Sequence, residues 1–143
     1  EMSNAMKILL IEDDQAQADL MLEVFSDCKF SVNQTQVATD GEKALDMLYQ
    51  RNGYEGYVRP NLILLDLDIP KIPGQEVLLE IKSNPNLQDI PVLVLTSSRA
   101  KDDIKSCYQH HANAYLVKPG DFYDLVELVE KIEDFWFSQV CYS

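Results

Sequence analysis

The sequence is poor in glycine, cysteine and basic residues, and each shortage removes a class of function. Five glycines in 143 residues form neither a GxGxxG nor a GxxxxGK(S/T) pattern, so a nucleotide cradled by a glycine-rich loop is not expected. The three cysteines, Cys28, Cys107 and Cys141, are odd in number, far apart and without a CxxC pair. They argue against structural zinc and a disulfide framework, and point to a reducing, cytoplasmic compartment. Lys and Arg number 12 against 24 Asp and Glu, a formal net charge of -12. Such a surface lacks the counter-charge for unspecific nucleic-acid binding and is repelled by anionic membranes. It leaves metal cations and basic protein partners open. No apolar run reaches membrane-spanning length, and no basic-apolar leader is read. There is no serine elbow. The only histidines, His110 and His111, are neighbours that point in different directions on a helix, so they read as a polar helix terminus and not a shared metal site.

What remains is a globular composition, 46% hydrophobic and 25% charged. The length suits one domain with a full core. Glu1 to Ala5 reads as a vector-derived remnant ahead of a native start near Met6, which leaves a single domain over residues 6–143 with an extended C-terminal helix and tail.

Asn61-Leu62-Ile63-Leu64-Leu65-Asp66-Leu67-Asp68-Ile69-Pro70 is the stretch on which the chain is organised. A short uninterrupted apolar run predicts a strand buried on both faces. Asp66 then either opens a turn or stands at the carboxyl end of a central strand, where open α/β sheets keep their chemistry. Lys7 to Ile11 is a second run of this kind, and Ile90 to Leu95 and Ala114 to Val117 follow the same pattern. Val32 to Ala38, with Asn33, Gln34 and Gln36, predicts an edge strand or one with a wetter face. Helical spacing predicts helices over 15–27 (Ala16, Leu20 and Val24 inward, flanked by Met21 and Phe25), about 42–50 and about 75–82. A fourth helix carries Asp102 and Asp103 in its first turn and Ile104, Cys107 and Tyr108 beyond. Asp121 is expected to cap a fifth, in a box-like arrangement with Asp124. Phe122, Leu125, Val126, Val129, Ile132 and Trp136 form its stripe. Residues 51–60, with two glycines, a proline and two tyrosines, predict an irregular segment that packs down on the domain or marks a contact surface. Five strands alternating with five helices predict a mostly parallel sheet with helices on both faces.

The strand ends are where polar residues gather. They are Glu12-Asp13-Asp14, Asp66-Leu67-Asp68, Thr96-Ser97 and Lys118-Pro119. Singly, a loop carboxylate is a solvated charge and a threonine after a strand is a helix cap. In a parallel sheet all four sets meet at one edge. Carboxylates held together repel unless a cation or lysine offsets them. All-oxygen ligands suit Mg²⁺. A lysine and a hydroxyl beside them suit a phosphoryl group, and an accessible aspartate can act as its acceptor.

With these residues in order, the chain resembles a receiver domain of a bacterial two-component response regulator from Lys7 to Trp136. The resemblance implies the flavodoxin-like α/β fold, doubly wound, with strand order 2-1-3-4-5. It implies Asp66 as phosphoacceptor, Asp13 as direct Mg²⁺ ligand, Glu12 acting through water, and the Asp68 backbone carbonyl in the metal shell. Asp14 takes the variable position after the acidic pair. The Asp68 side chain is placed to modulate dephosphorylation. Thr96 matches the hydroxyl switch, Tyr115 the aromatic switch, and Lys118 the lysine that pairs with phosphoaspartate. Pro119 matches a proline whose peptide is often cis. Pro73-Gly74 stands where the family usually has an acid-glycine pair. Pro73 suits a helix start.

The implied partner is a sensor histidine kinase, and the implied output runs through protein contact. Residues 51–60, the Arg59 to Leu67 run and Ile132 to Trp136 resemble the stand-alone regulators of phytochrome-type kinases. The aromatic tail from Phe135 either tucks into the core or, with the fourth helix, fifth strand and fifth helix, serves a homodimer. Two rival readings are a phosphorylation-independent receiver-like binding module and a small aspartyl-phosphate hydrolase. The intact acid, Thr and Lys set argues against the first. The lack of a second acid-base residue after Asp66 argues against the second.

Overall fold

The computed structural model describes residues 7–26 and 34–135. Expectations for Glu1–Ala5, Cys28, Val32, Asn33, Trp136 and the tail beyond it lie outside the described residues. Strands and helices alternate as β1 (Lys7–Ile11), α1 (Gln15–Ser26), β2 (Gln34–Ala38), α2 (Gly41–Leu48), β3 (Leu62–Leu65), α3 (Gly74–Ser83), β4 (Val92–Thr96), α4 (Lys101–Gln109), β5 (Ala114–Val117) and α5 (Phe122–Glu133). The sheet order is β2-β1-β3-β4-β5, every pair parallel. This is the doubly wound order, and the reversal between β1 and β3 opens a crevice at their carboxyl ends.

The apolar runs divide between two cores because successive strand residues face opposite ways. Leu9, Ile11, Ile63, Leu65, Val92 and Val94 enter the layer shared with α2, α3 and α4. Ile8, Leu10, Leu62, Leu64, Leu93 and Leu95 enter the layer shared with α1 and α5. A strand so placed has no face left for a polar residue. β2 lies at the sheet edge, as its glutamines predict, with Gln34 and Gln36 exposed.

Several local expectations shift. α1 buries Ala18, Met21 and Phe25, whereas Ala16 is exposed and Leu20 and Val24 are half-buried. The larger Met21 and Phe25 set the inward direction of the helix. β4 begins at Val92 and not at Ile90, because Pro91 cannot donate to a ladder and the Ile90 N–H closes a turn on the Leu87 carbonyl at 3.0 Å. In α5, Leu125, Val129 and Ile132 are buried, but Phe122 is 56% exposed. Asp121 caps α5 by accepting from the Tyr123 N–H at 2.7 Å. Asp124 stays exposed in the first turn, where its charge faces free amides. The 51–60 segment packs down: Tyr54 and Tyr57 lie against the core, and the Gln50 side chain donates to the Tyr57 carbonyl at 2.6 Å. No helix among the described residues is long and apolar enough to cross a membrane.

Candidate functional site

Parallel pairing brings the strand ends to one edge, and backbone bonds fix them there. The Glu12 N–H donates to the Ala38 carbonyl at 3.0 Å, the Asp66 N–H to the Ile11 carbonyl at 3.0 Å, and the Lys118 N–H to the Thr96 carbonyl at 2.8 Å. Each residue directly follows or ends a strand, so its side chain leaves the sheet into the crevice. Glu12, Asp66, Thr96 and Lys118 are all buried, whereas Asp13 is exposed.

Lys118 is the centre of the cluster. Its Nζ donates to Glu12 Oε1 at 2.5 Å, Gln17 Oε1 at 2.6 Å and Asp66 Oδ2 at 2.8 Å. An ammonium has three donors, and here each finds an oxygen. Burial works against the charge on Lys118, but bonds to Asp66 and Glu12, with their charges, outweigh it and hold its pKa above the ordinary lysine value. Burial pushes the Glu12 carboxyl up to about 7, against the opposing pull of Lys118.

The cluster has room for a second cation. One carboxylate oxygen each from Glu12, Asp13 and Asp66 lie within 4.8 Å of one another. Three carboxylates against a single ammonium leave negative charge in a largely buried crevice, and a small hard cation with all-oxygen ligands answers that need. The residues present therefore fit a divalent metal. Asp13, the exposed member, leaves one side of the group open to solvent.

Two glycines hold the loop that carries Asp66. A Cβ on Gly74 would meet the Leu67 Cα at 2.5 Å and the Asp66 carbonyl at 2.7 Å. One on Gly41 would run into the Ile72 carbonyl oxygen. These contacts are backbone, so no side chain can swing aside. The Gly74 N–H donates to the Leu67 carbonyl and the Gly41 N–H to the Pro70 carbonyl, both at 3.1 Å. Inside this loop the Asp68 N–H donates to Asp66 Oδ1 at 3.1 Å, and the Asp68 side chain is exposed.

Thr96 and Tyr115 lie on the β4–β5 side. The Ser98 N–H approaches Thr96 Oγ1 at 3.5 Å, and the Tyr115 hydroxyl donates to the Ser98 carbonyl at 2.9 Å. The structure thus brings Glu12, Asp13, Asp66 and Lys118 together, and links Thr96 to Tyr115 through Ser98. The Lys118–Pro119 peptide is trans, as are the other described peptides. This differs from the cis form that the resemblance suggests, and trans is the ordinary state even before proline.

Two site residues were not foreseen. Gln17 reaches Lys118 from the first turn of α1, and a lone polar helix residue carries no sequence signal for that. Asp14, read only as a variable position, caps α1: its Oδ1 accepts from the Gln17 N–H at 3.1 Å, while its own N–H donates to Glu12 Oε2 at 3.1 Å. Its signal was legible, an aspartate immediately before a helical pattern.

Known proteins share this fold. The family description "Response regulator receiver domain" matches residues 8–130. The chain is 45% identical to Response regulator Rcp1 of Synechocystis sp. over 133 residues, 93% of this chain and 90% of Rcp1. It is 43% identical to the probable methanogenesis regulatory protein FilR2 of Methanothrix harundinacea over 129 residues, 90% of this chain and 82% of FilR2. A crystal structure of the Mn²⁺-bound form of Rcp1 superposes with a TM-score of 0.91 at 44% identity, covering 94% of this chain and 96% of that one. The phosphorylated cyanobacterial phytochrome response regulator RcpA superposes with a TM-score of 0.91 at 41% identity, covering 94% and 95%. By the matched stretch, the sheet order and the acidic crevice together, the chain belongs to the response regulator receiver domain family of two-component phosphorelay signalling.

Proposed function

We propose that Asp66 is the phosphoacceptor and that a sensor histidine kinase supplies the phosphoryl group. The observation that carries the reading is the setting of Asp66: a buried carboxylate at the end of β3, 2.8 Å from Lys118 and within 4.8 Å of both Glu12 and Asp13. An Asp66 carboxylate oxygen forms the bond to phosphorus as the P–N bond of the donor phosphohistidine breaks. The donor imidazole nitrogen keeps the electron pair. Lys118 already points at the reacting carboxylate and supplies charge to the oxygens it gains. Asp13 and Asp66 would hold Mg²⁺ directly, with Glu12 through water and Asp68 through its backbone carbonyl. When bound, the ion neutralises charge on the transferring oxygens.

Thr96 turns its hydroxyl from the Ser98 N–H toward the phosphoryl group, and Tyr115 follows on the Ser98 carbonyl. Phosphorylation shifts the population toward that state. The exposed Asp68 side chain lies beside the path of the water that later hydrolyses the acyl phosphate. Among partners, a phytochrome-type kinase is the first to test, given the likeness to RcpA. The likeness to FilR2 makes other kinases the comparison arm. Exposed aromatics, Tyr108 on α4 and Phe122 and Tyr123 on α5, support a homodimer through α4, β5 and α5. The acidic composition, the cysteine usage and the kinase partner support a cytoplasmic protein that acts without membrane or nucleic acid.

The test is intact mass after incubation with Mg²⁺ and a small phosphodonor. The parent gains one acid-labile phosphoryl group and Asp66→Asn gains none. A parent that gains nothing would sink the reading.

A further inference from the structure

α4 is fastened to the switch by a side chain that belongs to neither. Gln75, in the first turn of α3, is half-buried and directed at α4. Its Nε2 donates to the Asp103 carbonyl at 3.4 Å, and its Oε1 accepts from Ser106 Oγ at 3.1 Å and from Cys107 Sγ at 3.7 Å. Asp103 continues the chain, since its Oδ2 accepts from Ser98 Oγ at 2.6 Å. Ser98 Oγ also accepts from the Ala100 N–H at 3.3 Å, which tightens the loop just before α4. The Ser98 carbonyl is the acceptor for Tyr115, and the Ser98 N–H faces Thr96. One line of hydrogen bonds thus runs Gln75, Asp103, Ser98, Tyr115, with Thr96 as a side branch. It walls a cleft of about 480 Å³ between the loops after β3 and β4, with Asp68 on its other side.

The physical consequence follows from the position of Ser98. Tyr115 can dock only where the Ser98 carbonyl is held, and Ser98 is held through Asp103 by α4. α4 is in turn anchored to α3 at Gln75 by three bonds on one amide group. Without that amide, α4 keeps its core packing at Cys107 but loses the side-chain bond that fixes Asp103, and with it part of what holds the Ser98 carbonyl in place.

We infer that Gln75 is a positioning residue that sets the resting population of the docked Tyr115 through Asp103 and Ser98. Where docked Tyr115 is also the state favoured by phosphorylation, which rests on the function proposed above, Gln75 also raises affinity for a phosphoryl group at Asp66, by at most the factor by which it raises the docked population.

The experiment labels the full-length chain with 3-fluorotyrosine and assigns the Tyr115 fluorine signal by Tyr115→Phe. Gln75→Met keeps the length of the side chain and removes its hydrogen bonds. The Tyr115 signal should move toward the position of an exposed tyrosine, while those of Tyr49 and Tyr54 stay in place. Asp103→Leu should reproduce the shift. Asp103→Asn, which retains an acceptor for Ser98, should leave it close to the parent. An unmoved Tyr115 signal in Gln75→Met overturns the inference, and so does a shift shared by all the tyrosines, which would be general damage. In a second arm, apparent affinity for fluoroberyllate with Mg²⁺ should fall about 5-fold in Gln75→Met, the low end of ordinary coupling. Equal affinity in parent and variant overturns the coupling. A parent that binds no fluoroberyllate counts against the phosphoacceptor reading, and the fluorine signals still decide the role of Gln75.

Discussion

Two lysines, Lys118 buried and Lys82 half-buried, stand one at each end of the sheet and show how the same side chain serves opposite purposes. Lys118 stands at the carboxyl edge among Glu12, Asp66 and Gln17. Lys82, on α3, stands at the amino edge, where its Nζ donates to the Gln88 carbonyl at 3.0 Å, the Ile90 carbonyl at 2.8 Å and Asn113 Oδ1 at 3.1 Å. Each ammonium satisfies three acceptors. The acceptors of Lys118 include two charges, and its pKa is raised. Those of Lys82 are neutral; burial lowers its pKa, with only the Asp89 charge opposing. Carboxylate partners can be exchanged for other anionic oxygens at little cost, which is what a phosphoryl group requires. Two of the three partners of Lys82 are backbone carbonyls and cannot be exchanged. On the proposed function, one lysine awaits a phosphoryl group, and the other is a clamp at the start of β4.

The sharpest break of this comparison is Lys118→Met. It strands two buried carboxylates and should cost roughly 3 kcal/mol in urea unfolding without divalent cations, the low end for a broken buried pair because Glu12 can take up a proton. Added Mg²⁺ should recover part of that loss. Gly74→Ala at the same edge should cost about 2 kcal/mol, since the clash is with backbone, and should slow phosphorylation by displacing Asp66; both are read from the unfolding midpoint and the mass assay. Lys82→Met leaves three acceptors short of a donor and should cost about 1–2 kcal/mol. It should shift the midpoint without changing the slope and leave phosphoryl acceptance intact. Loss of acceptance in Lys82→Met would erase the distinction between the two edges.

A final contrast between the two edges concerns pH. Glu12 has a folded value of about 7 against an ordinary 4.5. Between these values the folded chain holds a proton that the unfolded chain has lost. The sign is therefore a loss of stability as pH rises through that window. Glu12→Gln should flatten this slope in the metal-free protein, whereas Lys82→Met should leave it as in the parent. Chemical denaturation at half-unit pH steps reads both.

Much of this was written in the sequence because strands buried on both faces admit no polar residue until they end. The runs Lys7–Ile11 and Leu62–Leu65 therefore announced both the sheet and the point where chemistry begins. The acids, threonine and lysine were legible as a set because a parallel sheet sends its strand ends to one place. Helix orientation was less legible. Ala16 and Phe122 fit an apolar stripe by spacing, yet α1 turns Met21 and Phe25 inward, and α5 turns Leu125, Val129 and Ile132 inward, leaving both outside. Gln17 and Gln75 were not legible at all. An amide on a helix surface looks alike in sequence whether it meets water or a lysine, and only packing between elements tells the two apart.

The Tyr108 hydroxyl carries a consequence for association. β5 ends the sheet, so its outward amides are open to an added strand. Tyr108 reaches over from α4, and its hydroxyl accepts from the Tyr115 N–H at 3.0 Å. The middle of that edge is thereby spoken for by the protein's own side chain. A strand that adds along β5 must first break that bond, so the edge costs more to extend than its open position suggests.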